Sequence, residues 1–313
     1  MRLAAYAMNT RFELALYGED RHRLRAAGEQ AIEEILRIEK QLNRFDPQSD
    51  VSYINSNAWC EEVKVEAGLF DLLEQARRIN KLTDGAFDIS VTPLMRAWGL
   101  SDGRNGKVPS DSELQQAKDI SGMHLVRLDS ANQTVSFEKN GVELDLGAIG
   151  KGYAIERAVD ILRECGVDSA LIHGGTSTIY AIGSRPDMSM WKVLVSNSDD
   201  YIKTIELKDS SLSVSSQSGK FFLHDDIKYG HIIDPKSGIP VNHTHLAYAI
   251  GPSPILTDAL STALLVMNKS LCANMHETAS PLQRCGLLAW GTFVNHRNGL
   301  FRTMDNTSAM PKC

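Results

Sequence analysis

In TRFELALYG, Phe12, Leu14 and Leu16 alternate with polar neighbours, the period-two pattern of a strand with one buried face. The period then lengthens. Over 20–42, Leu24, Ala27, Ala31, Ile35, Ile38 and Leu42 recur at three- and four-residue steps, which predicts an amphipathic helix with its charges on the far side. NRFDPQSDVSYIN reads as a loop punctuated by Asp46-Pro47 and Ser49-Asp50, and 69–79 as a second helix. In TDGAFDISVTPL, Asp84-Gly85 marks a turn and Pro93 closes an extended run. Ser110 with Glu113 three residues on is a capping box, so a helix begins there. Short strands follow in HLVRLD, QTVSF and VELDL, and a helix over 151–165 carries Gly166 as its C-terminal stop. SALIHGG, TIYAIG, WKVLVS, YIKTIEL, LSVSS, YGHIID and LAYAI read as strands, 254–267 as a helix and GLLAWGTFV as a further strand.

Helices and strands are mixed without a regular βαβ alternation. The expected class is therefore α+β, a single large two-lobed domain with a mixed, largely antiparallel sheet. The 313 residues, 42% of them hydrophobic, suffice for such a core. A net charge of -6 with no run of Lys or Arg argues against a nucleic-acid partner. An acidic protein that handles a phosphorylated ligand must neutralise it locally, with a metal, a lysine or a helix N-terminus. The five cysteines are scattered and form no CxxC pair, which argues against a disulfide framework or a thiolate zinc site. No segment is long and apolar enough to span a membrane, and MRLAAYAMNTRF lacks a full signal-peptide core.

Three stretches carry candidate chemistry. DLGAIGKGYAIERA passes Gly147, Gly150 and Gly152 on the way from a strand into a helix, with Lys151 in the first turn. It matches neither standard nucleotide fingerprint, yet glycines admit close backbone approach and a helix N-terminus favours anions. The alternative is a purely structural turn. In TDALSTALLVM, Asp258 and Thr262 are four apart and share a helix face, away from the stripe of Leu260, Leu264 and Met267. That pair is an oxygen-rich patch suited to Mg²⁺, or else a helix-start Asp and a Thr bonded back to a carbonyl. In YGHIIDPKSGIP, His231 near an Asp-Pro turn is either a general base or a strand-end histidine. His243 and His245 form an HxH pair that, with His231 and Asp258, is a weaker candidate for zinc.

Taken in order, these segments resemble the ApbE family, the FAD:protein FMN transferases. The resemblance rests on Met8-Asn9-Thr10, NRFDPQSDVSYIN, DGAFDISVTPLMRAWG, ELDLGAIGKGYAIERAVDIL, LIHGG, HIIDPKSGIPV and TDALSTALLVM, over about residues 8–268. It implies an ApbE-like, T-fold-like domain over 1–270, followed by a divergent tail over 271–313 that can pack on the same domain. It implies an enzyme that splits FAD, its substrate, places the FMN phosphate on a threonine hydroxyl of an acceptor flavoprotein, and releases AMP. The acceptor threonine would sit in a motif like D-x-x-(S/T)-G-A-(S/T). Mg²⁺ would be held by Asp258, Thr262 and the Ala148 carbonyl. FAD contacts would fall on Met8, Phe45, Ala86, Phe87, Asp88, Ile149, Lys151 and Ile232, and His231 would take the acceptor's proton.

The chain departs from the family's usual pattern at three places. Thr176 follows the Gly-Gly pair where an acid or amide is usual, Gln217-Ser218-Gly219-Lys220 replaces a T-S-G turn, and the tail after about 270 differs. Because the chain opens almost at its first motif, a cytoplasmic form is expected; an exported form is the alternative if a signal segment has been removed. The rival activities are an FAD pyrophosphatase, which hands FMN to water, and a flavin-binding protein without catalysis.

Overall fold

A computed structural model of the chain describes residues 1–101, 106–196, 201–217, 221–242, 246–267, 287–294 and 302–305. The first half runs β1 (Arg2–Ala7), β2 (Thr10–Tyr17), α1 (Arg21–Leu42), α2 (Asp50–Asn57), β3 (Val63–Lys64), α3 (Ala67–Leu82), α4 (Thr92–Ala97), α5 (Asp111–Asp119), β4 (Val126–Asp129) and β5 (Thr134–Phe137). The second runs α6 (Gly150–Glu164), β6 (Ser169–Gly174), β7 (Thr178–Ile182), β8 (Trp191–Ser196), β9 (Tyr201–Leu207), β10 (Ser210–Ser216), β11 (Phe221–His224), β12 (Ile227–Gly230), β13 (Leu246–Gly251), α7 (Pro254–Val266), β14 (Ala289–Val294) and β15 (Arg302–Asp305). Eight strands form the main sheet in the order β1-β2-β6-β7-β10-β13-β14-β15. Each neighbouring pair in it is antiparallel, as the α+β reading expects.

Side chains sort by parity to the two faces of this sheet. Tyr180 and Ile182 of β7 and Ala247 and Ala249 of β13 join the core that includes α1, α6 and α7. Ile179, Ala181, Leu246, Tyr248 and Ile250 point the other way, into a second cluster with Trp191, Val193, Ile205 and Leu207 of the β8–β9 hairpin. At the centre of the sheet both faces are thus covered, and β7 and β13 are buried at every position. That double burial is why their sequences read as continuous apolar runs rather than alternations. A third, smaller cluster joins Leu94 and Trp98 to Ala117, Phe222 and Tyr229, and the indole N–H of Trp98 donates to the Gly238 carbonyl at 2.8 Å.

The first helix follows its spacing: Leu24, Ala27, Ala31, Ile35, Ile38 and Leu42 are all buried, and the Asp20 side chain accepts from the N–H groups of His22 and Arg23. Met8 and Asn9, with φ of 51° and 58°, make the two-residue turn between β1 and β2, a left-handed pair whose twist suits a hairpin.

At four places the chain departs from its sequence pattern. NRFDPQSDVSYIN is not a loop throughout, because the Ser49 hydroxyl caps α2 by accepting from Ser52 N–H at 3.0 Å. Pro93 does not close an extended run; it lies in the first turn of α4, where its missing N–H costs nothing. VELDL forms no strand: the Asn55 side chain bonds both the N–H and the C=O of Leu144, at 2.8 and 3.0 Å, and the Ile89 carbonyl takes the Asp145 N–H. A side chain has replaced the ladder. In YGHIID the strand β12 ends at Gly230, so His231 lies on the following loop, and Ile233 makes one isolated bridge to Pro240.

Candidate active site

Segments far apart in sequence close on a cavity of about 610 Å³. The loop before α4 contributes Ala86, Phe87 and Asp88, and the glycine turn contributes Ala148 and Lys151. His231 and Ile232 line it from the loop after β12, Asp258 and Thr262 from α7. Phe87 only borders it, since 1% of its surface is exposed and its ring belongs to the core. Three residues named from the resemblance are not among the lining. Met8 is a hairpin-turn residue whose N–H donates to Glu39 at 2.7 Å. Phe45 is exposed, with the Arg44 guanidinium 4.0 Å over its ring. Ile149 is wholly buried just before α6.

Asp258 is the most constrained group. It is 4% exposed, where the helix reading placed it merely off the core stripe. Helix α7 lies between α6 and the sheet, and 11 of its 13 residues are buried. One carboxylate oxygen accepts from the backbone N–H of Gly152 at 2.9 Å, and the other from the Thr178 hydroxyl at 2.9 Å. The Lys151 ammonium lies 4.0 Å away and also donates to the Gly147 carbonyl at 3.3 Å. A side chain at 152 would be impossible without movement, because its Cβ would stand 2.3 Å from the Pro254 carbonyl and 2.9 Å from Asp258 Cβ. Gly152 is therefore a helix-crossing glycine that brings α6 and α7 together. One turn further along α6, burial raises the Glu156 carboxyl above its ordinary 4.5, against the opposing hydrogen bond from Ser253.

Two other carboxylates reach the cavity. Asp88 is saturated: it accepts from the N–H and hydroxyl of Ser90 at 2.8 and 2.6 Å, from Met123 N–H at 3.0 Å, and from the Asn80 amide at 3.2 Å. Asp145, which the sequence did not single out, pairs with Arg44 at 2.7 Å, and its other oxygen accepts from Gly147 N–H at 2.7 Å. It braces the glycine turn from inside. Thr176 lines the cavity at the position where the family's acid or amide is usual, and Ser177 and Ser215 line it too. His243, His245 and 218–220 lie outside the described residues. Among the described residues no three His, Cys, Asp or Glu side chains come together. A cation here would rest on one carboxylate plus hydroxyl and carbonyl oxygens. That all-oxygen set, with a buried carboxylate that keeps lone pairs free, fits Mg²⁺.

The ApbE family pattern matches residues 8–283. FAD:protein FMN transferase of Vibrio cholerae is 27% identical over 238 residues, covering 74% of this chain and 70% of that one. The protein of the same name from Haemophilus influenzae is 26% identical over 297 residues, covering 90% and 85%. The crystal structure of the ApbE protein from Thermotoga maritima superposes with a TM-score of 0.86 at 28% identity, covering 96% of each chain. Flavin transferase ApbE from Vibrio cholerae superposes at 0.84 with 22% identity, a likeness of fold. The antiparallel α+β fold, shared with these proteins, belongs to an enzyme of the transferase class. The chain is a member of the ApbE family.

Proposed function

We propose that the chain is an Mg²⁺-dependent FAD:protein FMN transferase, which moves the FMN of FAD onto a threonine of an acceptor flavoprotein and releases AMP. The observation that carries this reading is the buried Asp258 carboxylate, set against Lys151 in the same cavity as Ala148, Thr262 and His231. Three carboxylates and one ammonium border that cavity among the described residues. Arg44 offsets Asp145, but the balance still disfavours a bare diphosphate. Asp258, the Thr262 hydroxyl and the Ala148 carbonyl would hold Mg²⁺, which when bound supplies the charge neutralisation that diphosphate cleavage requires.

The residues divide the remaining work. Lys151 adds a cation beside the diphosphate at the N-terminus of α6, where the helix dipole also favours negative charge. The Asp145–Arg44 pair keeps the glycine turn in place. His231 accepts the proton of the acceptor threonine, worth roughly 10²–10⁴-fold for a positioned base. The threonine oxygen then bonds to the FMN phosphorus, the bond from that phosphorus to the bridging oxygen breaks, and AMP departs with that oxygen. The acceptor sequence would resemble D-x-x-(S/T)-G-A-(S/T).

The test is stoichiometry. With FAD, Mg²⁺ and an acceptor protein bearing that motif, one FMN should become covalently attached for each AMP released, and EDTA should abolish both. AMP and free FMN formed equally without acceptor would replace transfer by hydrolysis; intact FAD after hours with the acceptor would leave a binding protein.

A further inference from the structure

Strand β10 presents serine at alternate positions, Ser211, Ser213 and Ser215, and each meets a hydroxyl of α7 or its neighbour. Thr257 Oγ1 lies 2.9 Å from Ser211 Oγ and 3.0 Å from Ser213 Oγ. Ser215 Oγ lies 2.8 Å from Ser261 Oγ and 3.1 Å from Thr262 Oγ1. The Ser261 hydroxyl also lies 2.9 Å from the Asp258 carbonyl. The helix otherwise places Ile255, Ala259, Leu260, Ala263, Leu264, Leu265 and Val266 in the apolar core, so a row of hydroxyls against β10 needs a reason.

The protons in the second group can be placed by logic. A carbonyl only accepts, so the single O–H of Ser261 goes to Asp258. Ser261 must then accept from Ser215, and Ser215, its own proton spent, must accept from Thr262. One arrangement alone makes every contact a hydrogen bond: Thr262 to Ser215 to Ser261 to the Asp258 carbonyl. It ties up the only proton of Thr262 and leaves its remaining lone pairs for the cavity that Thr262 and Ser215 both line.

We infer that Ser215 is a positioning residue, one that fixes the Thr262 hydroxyl as an acceptor toward the cavity and so makes it a ligand for a hard divalent cation. A hydroxyl free to rotate would as readily offer its proton, which a cation cannot use. The inference rests on the cation reading of Asp258 and Thr262 given above and assigns to that site a supporting residue on another element. Removing such a supporting partner typically weakens metal affinity by about 10–100-fold.

Mn²⁺ alone, titrated into the purified full chain and followed by the electron paramagnetic resonance of the free ion, measures this without turnover. The wild type should bind one ion. Ser215→Ala should bind it at least about tenfold more weakly, and Ser215→Thr, which keeps the hydroxyl, should restore affinity to within about threefold. Ser261→Ala, one link further, should weaken it as well, because the freed Ser215 proton can turn back onto Thr262. Wild-type affinity in a folded Ser215→Ala protein, even with a lowered melting temperature, would reduce the row to packing and overturn the inference alone. If Ser215→Ala does not fold, the Ser261→Ala titration decides in its place. A wild type that binds no Mn²⁺ while the Asp258 site is intact would overturn the cation reading and this inference with it.

Discussion

The four hydrogen bonds that converge on Asp88 use up its carboxylate, two on each oxygen, and all come from protein donors. These bonds hold the loop that carries Ala86 and Phe87 beside the cavity. In Asp88→Asn one oxygen becomes an amide that faces two donors. The expected loss is about 2 kcal/mol of stability, read as a lower urea midpoint, because buried donors are left without acceptors. An unchanged midpoint would mean that these bonds contribute little to holding the loop. The run GAFDIS drew attention in the sequence, but its saturation was not legible there, since Met123 and Asn80 reach Asp88 from other elements. Asp145 shows the reverse. It sits inside the glycine stretch, yet nothing in that stretch reveals that Arg44, 101 residues earlier, pairs with it.

Among the elements, α1 was legible almost residue for residue because one face packs and the other is solvated. Helix α7 was not. Its apolar stripe is real, but α6 and the sheet enclose the other sides as well, so Asp258 is buried where spacing alone suggests a freer position. Gly152 has a neighbour that its motif does not reveal. In sequence it is one of three glycines near a lysine and invites a phosphate; in the fold it is the point where α6 meets Pro254 and Asp258. Gly152→Ala should therefore act as an overpacking mutation at a helix crossing, costing about 1–3 kcal/mol. Thermal unfolding should show a clearly lowered midpoint. A midpoint equal to wild type would mean that the crossing relaxes freely and that the glycine serves something else.

At the scale of the molecule, an antiparallel sheet covered on one face by α1, α6 and α7 and on the other by the β8–β9 hairpin supplies a rigid wall. The loops that carry Asp88 and His231 close on that wall from the smaller cluster around Trp98. The order of the motifs made the family legible in sequence, and the absence of βαβ alternation made the sheet legible. Which side chains converge depends on pairings more than a hundred residues apart, such as Gly152 with Asp258, and no local pattern records them. In the proposed function that convergence is a cradle for a diphosphate and its cation. The most direct measurement is anomalous diffraction from a crystal soaked with FAD and Mn²⁺. A metal peak within coordination distance of the Asp258 carboxylate and the Thr262 hydroxyl, beside the FAD diphosphate, is the predicted result. An FAD diphosphate bound away from α7, or a metal that leaves Asp258 to Gly152 and Thr178 alone, would contradict it.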